Sequence, residues 1–204
     1  MKVKICGIMD REAAHAAVAY GADALGFVFA ESKRKIDKER AKQIIDSLPE
    51  EIQKVGVFVN ESKEHIEEIA VYTGLTMIQL HGEEEDELIQ VLSLPVIKGI
   101  PFQTEIDTVL RKSKADYILL DAPKGKYRGG NGHSFNWQDA RDLGIEVKNL
   151  ILAGGLTPEN VEEAIMIIKP FMVDVSSGVE TDGKKDLEKI KKFIENSKTG
   201  VMSK

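Results

Sequence analysis

Eight short apolar runs, each followed by a stretch with helical character, succeed one another along 204 residues, and this alternation constrains the chain more than any other feature. The runs are Val3–Cys6, Ala24–Phe29, Val55–Val59, Thr76–Leu80, Val96–Ile100, Tyr117–Asp121, Leu150–Ala153 and Phe171–Val175. Each has the length and the β-branched or aliphatic content of a buried strand. Between them lie helix signals. Asp10 opens an Ala-rich amphipathic stretch that ends at Gly21, and the pattern from Asp37 to Leu48 is closed by Pro49. A third helix begins near Ser62, and the acidic run Glu83-Glu84-Glu85 suits the positive end of a fourth. Further helices are expected from Glu105 to Lys112, from Asn136, and after Thr157 and Pro158, an N-cap and a first helical residue. The last places Leu187, Ile190, Phe193 and Ile194 on one face.

At about 25 residues each, eight strand–helix units predict a single-domain α/β fold, a parallel (β/α)8 barrel of the TIM type and near-minimal length. It should span residues 1–204, with a tail, 197–204, expected to fray. A doubly wound open sheet commonly has fewer strands, and no Gly-x-Gly-x-x-Gly follows the first strand here.

Composition narrows the partners. A chain 42% hydrophobic and 30% charged has enough apolar content for a core. No apolar run approaches the roughly 18 residues of a membrane span, and Met1–Gly7 lacks the apolar region of a secretory signal, so a cytoplasmic protein with no membrane partner is expected. Net charge −6 with dispersed basic residues argues against nucleic acid. The single cysteine excludes an internal disulfide, and no Cys/His cluster has metal-ligand spacing.

In such barrels reactive residues occupy the C-terminal strand ends and the loops after them. That rule selects Cys6, Arg34, Asn60, Gln79, His81, Asp121, Gly154-Gly155 and Asp174 with Ser176-Ser177-Gly178, while Asp23 and Asp116, at strand starts, read as structural. The Gly and Ser segments after strands seven and eight are where barrels of this kind bind phosphate, glycine admitting a close backbone approach; each alone also fits an ordinary tight turn. Cys6 reads either as an inert buried thiol or as a base, and Asp121 either as a cap or as an acid. Arg34 belongs to a surface charge run or grips a carboxylate with its planar fork. His81 bonds locally or touches a ligand, and the loop 124–132, with Gly129, Gly130 and Gly132, has the composition of a lid or a linker.

The segments Lys4-Ile5-Cys6-Gly7-Ile8, Val55–Asn60, Gln79-Leu80-His81-Gly82-Glu83, Leu119-Leu120-Asp121, Ala153–Val161 and Val173–Glu180 together resemble those of phosphoribosylanthranilate isomerase, in order from Lys4 to about Phe193. Met9 replaces an expected small polar residue, and Asn131 an expected Ser or Thr. The resemblance implies an Amadori rearrangement of N-(5-phosphoribosyl)anthranilate in tryptophan biosynthesis, with no cofactor and a small phosphosugar as the only ligand, by a monomer or homodimer. It further implies that Asp121 is the general acid, Cys6 the general base, Arg34 the carboxylate contact, and Gly154, Gly155, Ser176, Ser177 and Gly178 the phosphate site. Asp174 and His81 stand as further substrate contacts. As a base, Cys6 should have its pKa lowered by neighbouring cations or backbone dipoles, whereas Asp121 should be held protonated in an apolar site. The alternatives are another phosphosugar isomerase or epimerase, against which the thiol and the missing metal ligands count, and a noncatalytic phosphate-binding barrel.

Overall fold

A computed structural model describes residues 1–102, 113–122, 137–142 and 149–199 of the chain. The strands are β1 (Lys2–Cys6), β2 (Ala24–Val28), β3 (Gln53–Phe58), β4 (Met77–Leu80), β5 (Val96–Pro101), β6 (Tyr117–Asp121), β7 (Leu150–Leu152) and β8 (Met172–Val175). They pair in chain order and close, β8 returning to β1, as an eight-stranded parallel barrel. Outside it run α1 (Arg11–Ala19), α2 (Lys38–Ile45), α3 (Lys63–Thr73), α4 (Asp86–Val91), α5 (Trp137–Asp142), α6 (Val161–Ile168) and α7 (Leu187–Thr199). The helix expected over 105–112, the loop 124–132 with its three lid glycines, and residues 200–204 lie outside the described residues.

The caps that begin the first three helices are those the sequence announces. Asp10, Asp37 and Ser62 accept the backbone N–H of Ala13, Arg40 and His65 at 2.8, 2.7 and 3.3 Å. Asp23 and Asp116 accept the N–H of Val3 and Val96, at 2.9 and 2.8 Å, tying the start of one strand to the approach of another.

Three local expectations change. The helix after β7 starts at Val161, one turn beyond Thr157, because Thr157 Oγ1 caps a preceding turn and the Asn160 side chain accepts the Thr157 N–H at 2.8 Å. Glu84 does not serve a helix dipole; it turns inward to the N–H groups of Asn60 and Gly82 and to Lys98 Nζ, 2.6 Å away. Of the tail expected to fray over 197–204, the described part is helical: α7 continues to Thr199, and the buried Ser197 hydroxyl donates to Phe193 O at 2.7 Å.

Strand alternation divides the apolar residues into two groups. Outward-facing Val3, Ile5, Leu25, Phe27, Phe58, Ile78, Leu80, Leu120, Leu152 and Val173 meet the helices. Inward-facing Ala24, Val55, Met77, Ile97, Leu119, Ile151 and Met172 plug the barrel. Tyr117 and Phe171, ring centroids 5.5 Å apart, pack against the plug from below. Above the plug, at the C-terminal strand ends, several inward positions become polar, among them Gln79, Asp121 and Asp174.

Candidate active site

That polar rim lines a cavity of about 960 Å³, and Cys6, Arg34, Gln79, His81, Asp121, Gly154, Gly155, Asp174, Ser176, Ser177 and Gly178 all border it. Cys6 ends β1 and Asp121 ends β6, so the two face one another over the plug from separate arcs of the rim.

Room for Cys6 comes from its neighbour in the sheet. Gly26, its partner on β2, has no side chain, and a Cβ there would lie 2.7 Å from Cys6 Sγ and 3.2 Å from Lys4 Nζ. Lys4, two residues earlier on the same inward face, is fully buried and donates to Asp174 Oδ1 at 3.0 Å. Burial holds the Cys6 thiol above its ordinary value, against the pull of Lys4 and Lys185; this corrects the expectation that neighbouring cations lower it, because desolvation outweighs them. Burial also works against the charge of Lys4, yet Asp174 and a Cys6 thiolate hold its pKa above the ordinary range.

Asp121 is oriented from two sides. Its Oδ1 accepts the Ala122 N–H at 2.8 Å, and its Oδ2 lies 3.2 Å from His81 Nε2. The imidazole, from the end of β4, reaches β6 over Gly99 of β5, whose absent Cβ would stand 2.9 Å from its Cε1. On the far side of the ring, Nδ1 is 3.2 Å from Gln79 Nε2, while the buried Gln79 Oε1 has no partner among the described residues.

Gly154 and Gly155, at φ 80° and 69°, adopt the left-handed backbone that favours glycine, and a Cβ on Gly154 would run into the Ala122 backbone. A Cβ on Gly178 would run into the Leu156 carbonyl, so the loops after β7 and β8 touch with no space for a side chain. The backbone of both therefore borders the same end of the cavity.

The sequence reading missed a short hairpin beyond this loop. Strands β9 (Glu180–Thr181) and β10 (Lys184–Lys185) pair across Asp182-Gly183, both at positive φ, and place Glu180 opposite Lys185. Glu180 receives the Arg34 fork through Nε at 2.7 Å and Nη2 at 2.8 Å, and it also accepts from Lys185 Nζ at 2.8 Å. Arg34 is thus gripped along one edge, leaving Nη1 and the remaining Nη2 hydrogen for a second carboxylate. Asp-Gly was the available signal for the hairpin, but strands of two residues carry no periodicity to flank it. Among the described residues no three His, Cys, Asp or Glu side chains gather as a metal site, and no helix is long and apolar enough to cross a membrane.

Residues 3–196 match the family model for N-(5'-phosphoribosyl)anthranilate isomerase. The chain belongs to this family. An N-(5'-phosphoribosyl)anthranilate isomerase of Bacillus cereus is 56% identical over 198 residues, covering 96% of this chain and 98% of that one. The crystal structure of phosphoribosyl anthranilate isomerase from Thermotoga maritima superposes with a TM-score of 0.89 at 44% identity, over 98% of this chain and 99% of that one. A second structure of such an isomerase, holding reduced 1-(o-carboxyphenylamino)-1-deoxyribulose 5-phosphate, gives 0.87 at 43% identity over the same shares. The phosphoribosylanthranilate isomerase family is therefore the frame in which the rim residues are to be understood.

Proposed function

We propose that the chain catalyses the Amadori rearrangement of N-(5-phosphoribosyl)anthranilate to 1-(2-carboxyphenylamino)-1-deoxyribulose 5-phosphate in tryptophan biosynthesis, in the cytoplasm and without a cofactor. The observation that carries this reading is the placement of a thiol and a carboxyl on separate arcs of one rim, between glycine-rich loops and an arginine. Such a site suits a substrate with a phosphate at one end and a carboxylate at the other. The loops around Gly154-Gly155 and Ser176-Ser177-Gly178 take the phosphate, their glycines letting backbone N–H groups approach it. Arg34 takes the anthranilate carboxylate with the donors that Glu180 leaves free.

Asp121, as general acid, protonates the furanose ring oxygen; the C1–O bond breaks and the nitrogen lone pair closes a protonated Schiff base at C1. Cys6, as thiolate, then removes the C2 proton, and the C–H electron pair forms the enolamine, which tautomerises to the C2 ketone. His81 and Gln79 suit this cycle. With Asp121 ionised, Gln79 Nε2 donates to Nδ1 and the Nε2 hydrogen of the ring points at Oδ2. With Asp121 protonated, the ring needs an acceptor at Nδ1, which the unpartnered Gln79 Oε1 supplies when the carboxamide turns over. Asp174, bonded to Lys4 at the cavity wall, stands close enough to the rim to touch the ribulose hydroxyls.

The direct test is turnover of freshly generated phosphoribosylanthranilate, followed by the fall in anthranilate fluorescence, with the aminoaldose of histidine synthesis as comparator. Conversion of the first supports the reading; binding without conversion overturns it.

A further inference from the structure

Cys6 sits in a cluster of buried charges that does not sum to zero. From β1 comes Lys4, from β8 Asp174, from the loop after β2 Arg34, and from the β9–β10 hairpin Glu180 and Lys185; His81 and Asp121 face the thiol across the cavity. The anions among the near groups are already taken. Asp174 is bonded to Lys4, and Glu180 is shared between the Arg34 fork and Lys185. Three cations against two carboxylates leave one positive charge, which a Cys6 thiolate would balance.

Lys185 has Glu180 at 2.8 Å but shares it with Arg34. The Lys185 side chain is only 3% exposed. Nζ donates to Ser176 O at 2.9 Å, and Ser176 Oγ in turn donates to the Cys6 carbonyl at 3.1 Å, so the ammonium is tied through Ser176 to the Cys6 backbone. An ammonium in this position is expensive, since a methionine of similar length would fill the space without desolvating a charge. Burial does push the Lys185 pKa down, with Glu180 and a Cys6 thiolate pulling it back. Holding Ser176 O needs only a neutral donor. The charge answers first to Glu180, but Glu180 also takes the Arg34 fork, and the next acidic group to act on Lys185 is Cys6, which Lys185 shares with Lys4.

We propose that Lys185 is a positioning residue for the isomerisation, its ammonium tied by the hairpin and Ser176 to the end of β1 so that, together with Lys4, it balances the negative charge of the Cys6 thiolate, with Glu180 setting how much of its charge reaches the sulfur. The proposal rests on the reading of Cys6 as the base, and Lys185 itself exchanges no proton with substrate.

Cys6 is the single cysteine of the chain, so its ionisation is read without interference from the rate at which iodoacetamide alkylates the protein as a function of pH. The thiolate displaces iodide, and the midpoint of the rate profile reports the thiol in the folded enzyme. K185Q, which keeps a donor for Ser176 O, is expected to move the midpoint upward, with alkylation below it slowed roughly tenfold for a one-unit shift. K185R is expected to stay near wild type. E180Q, which frees the Lys185 charge, is expected to move the midpoint the other way. The acid limb of kcat/KM should shift in the same direction as the midpoint in K185Q and in E180Q. A midpoint unmoved in K185Q, together with a raised KM, would assign Lys185 a purely structural role and overturn the proposal. Should K185Q fail to fold, the proposal falls if E180Q leaves the midpoint at or above that of wild type. An alkylation midpoint that moves while the kcat/KM limb stays fixed upholds the hold of Lys185 on the thiolate and overturns instead the assignment of Cys6 as base.

Discussion

The His81 imidazole reaches Asp121 across Gly99, its Nε2 standing 3.2 Å from Asp121 Oδ2 while the ring occupies the space a β5 side chain would need. The proposed general acid on one strand is thus aimed by a residue two strands away, and the glycine between them is part of the arrangement. Gly99→Ala should displace the ring and lower kcat by up to about 10²-fold, as misplacement of catalytic groups by about 1 Å does. The decisive comparison is with His81→Ala and the double variant. If the glycine acts through the ring, the double variant is no slower than His81→Ala alone; additive losses would contradict this.

Gly26 makes room in the same way for Cys6, the proposed base. A Cβ there meets Cys6 Sγ and Lys4 Nζ, so Gly26→Ala should overpack the top of β1 and lower stability by about 1–3 kcal/mol. Thermal melting of Gly26→Ala and of Gly26→Ala combined with Cys6→Ala checks the cause. Removing the sulfur should restore most of the loss; an equal loss in both backgrounds would place the strain elsewhere.

Lys4 and Asp174 form an ion pair inside the barrel, with side chains 0% and 8% exposed. Asp174→Leu leaves an uncompensated buried ammonium and should cost about 3–5 kcal/mol, whereas Lys4→Met with Asp174→Leu should recover much of it. Denaturant unfolding of the two variants measures the difference. A double variant as unstable as the single would show that the ammonium is not the source of the loss.

Acid should destabilise the mouth of the barrel through Glu84 and Glu180. Burial alone would raise both carboxyls, but Lys98 and backbone N–H groups hold Glu84 below the ordinary glutamate value, and Arg34 and Lys185 do so for Glu180. Each binds its proton less readily folded than unfolded, so the stability it contributes is complete above the ordinary value and is lost as pH falls through the depressed one. The melting temperature should hold steady from neutrality to about pH 5 and decline below it. Glu84→Gln should start lower and decline less steeply; a decline as steep as that of wild type would remove Glu84 from the account.

Much of this site was legible in the sequence because the barrel turns strand order into position. Once eight runs are counted, Cys6, Asp121, Gly154-Gly155 and Ser176–Gly178 must fall on one rim, and they do. What could not be read was which long side chains turn inward. Lys4 belongs to a run whose alternation is masked by apolar residues on both faces, and only the pairing of β1 with β8 shows that it lies beside Asp174. Lys185 and Glu180 come from strands too short to carry a pattern, and their meeting with Arg34 spans 146 residues of chain. The thiol's pKa also depended on a competition that residue identity does not reveal, desolvation against two lysines, and desolvation prevails.

The central claim is that a thiolate at Cys6 and a carboxylic acid at Asp121 carry the proton transfers. Its most direct measurement is kcat for phosphoribosylanthranilate isomerisation in Cys6→Ala and in Asp121→Asn, with folding verified by circular dichroism. A loss on the order of 10²–10⁴-fold in each variant is the predicted result, and rates near wild type in both would contradict the account.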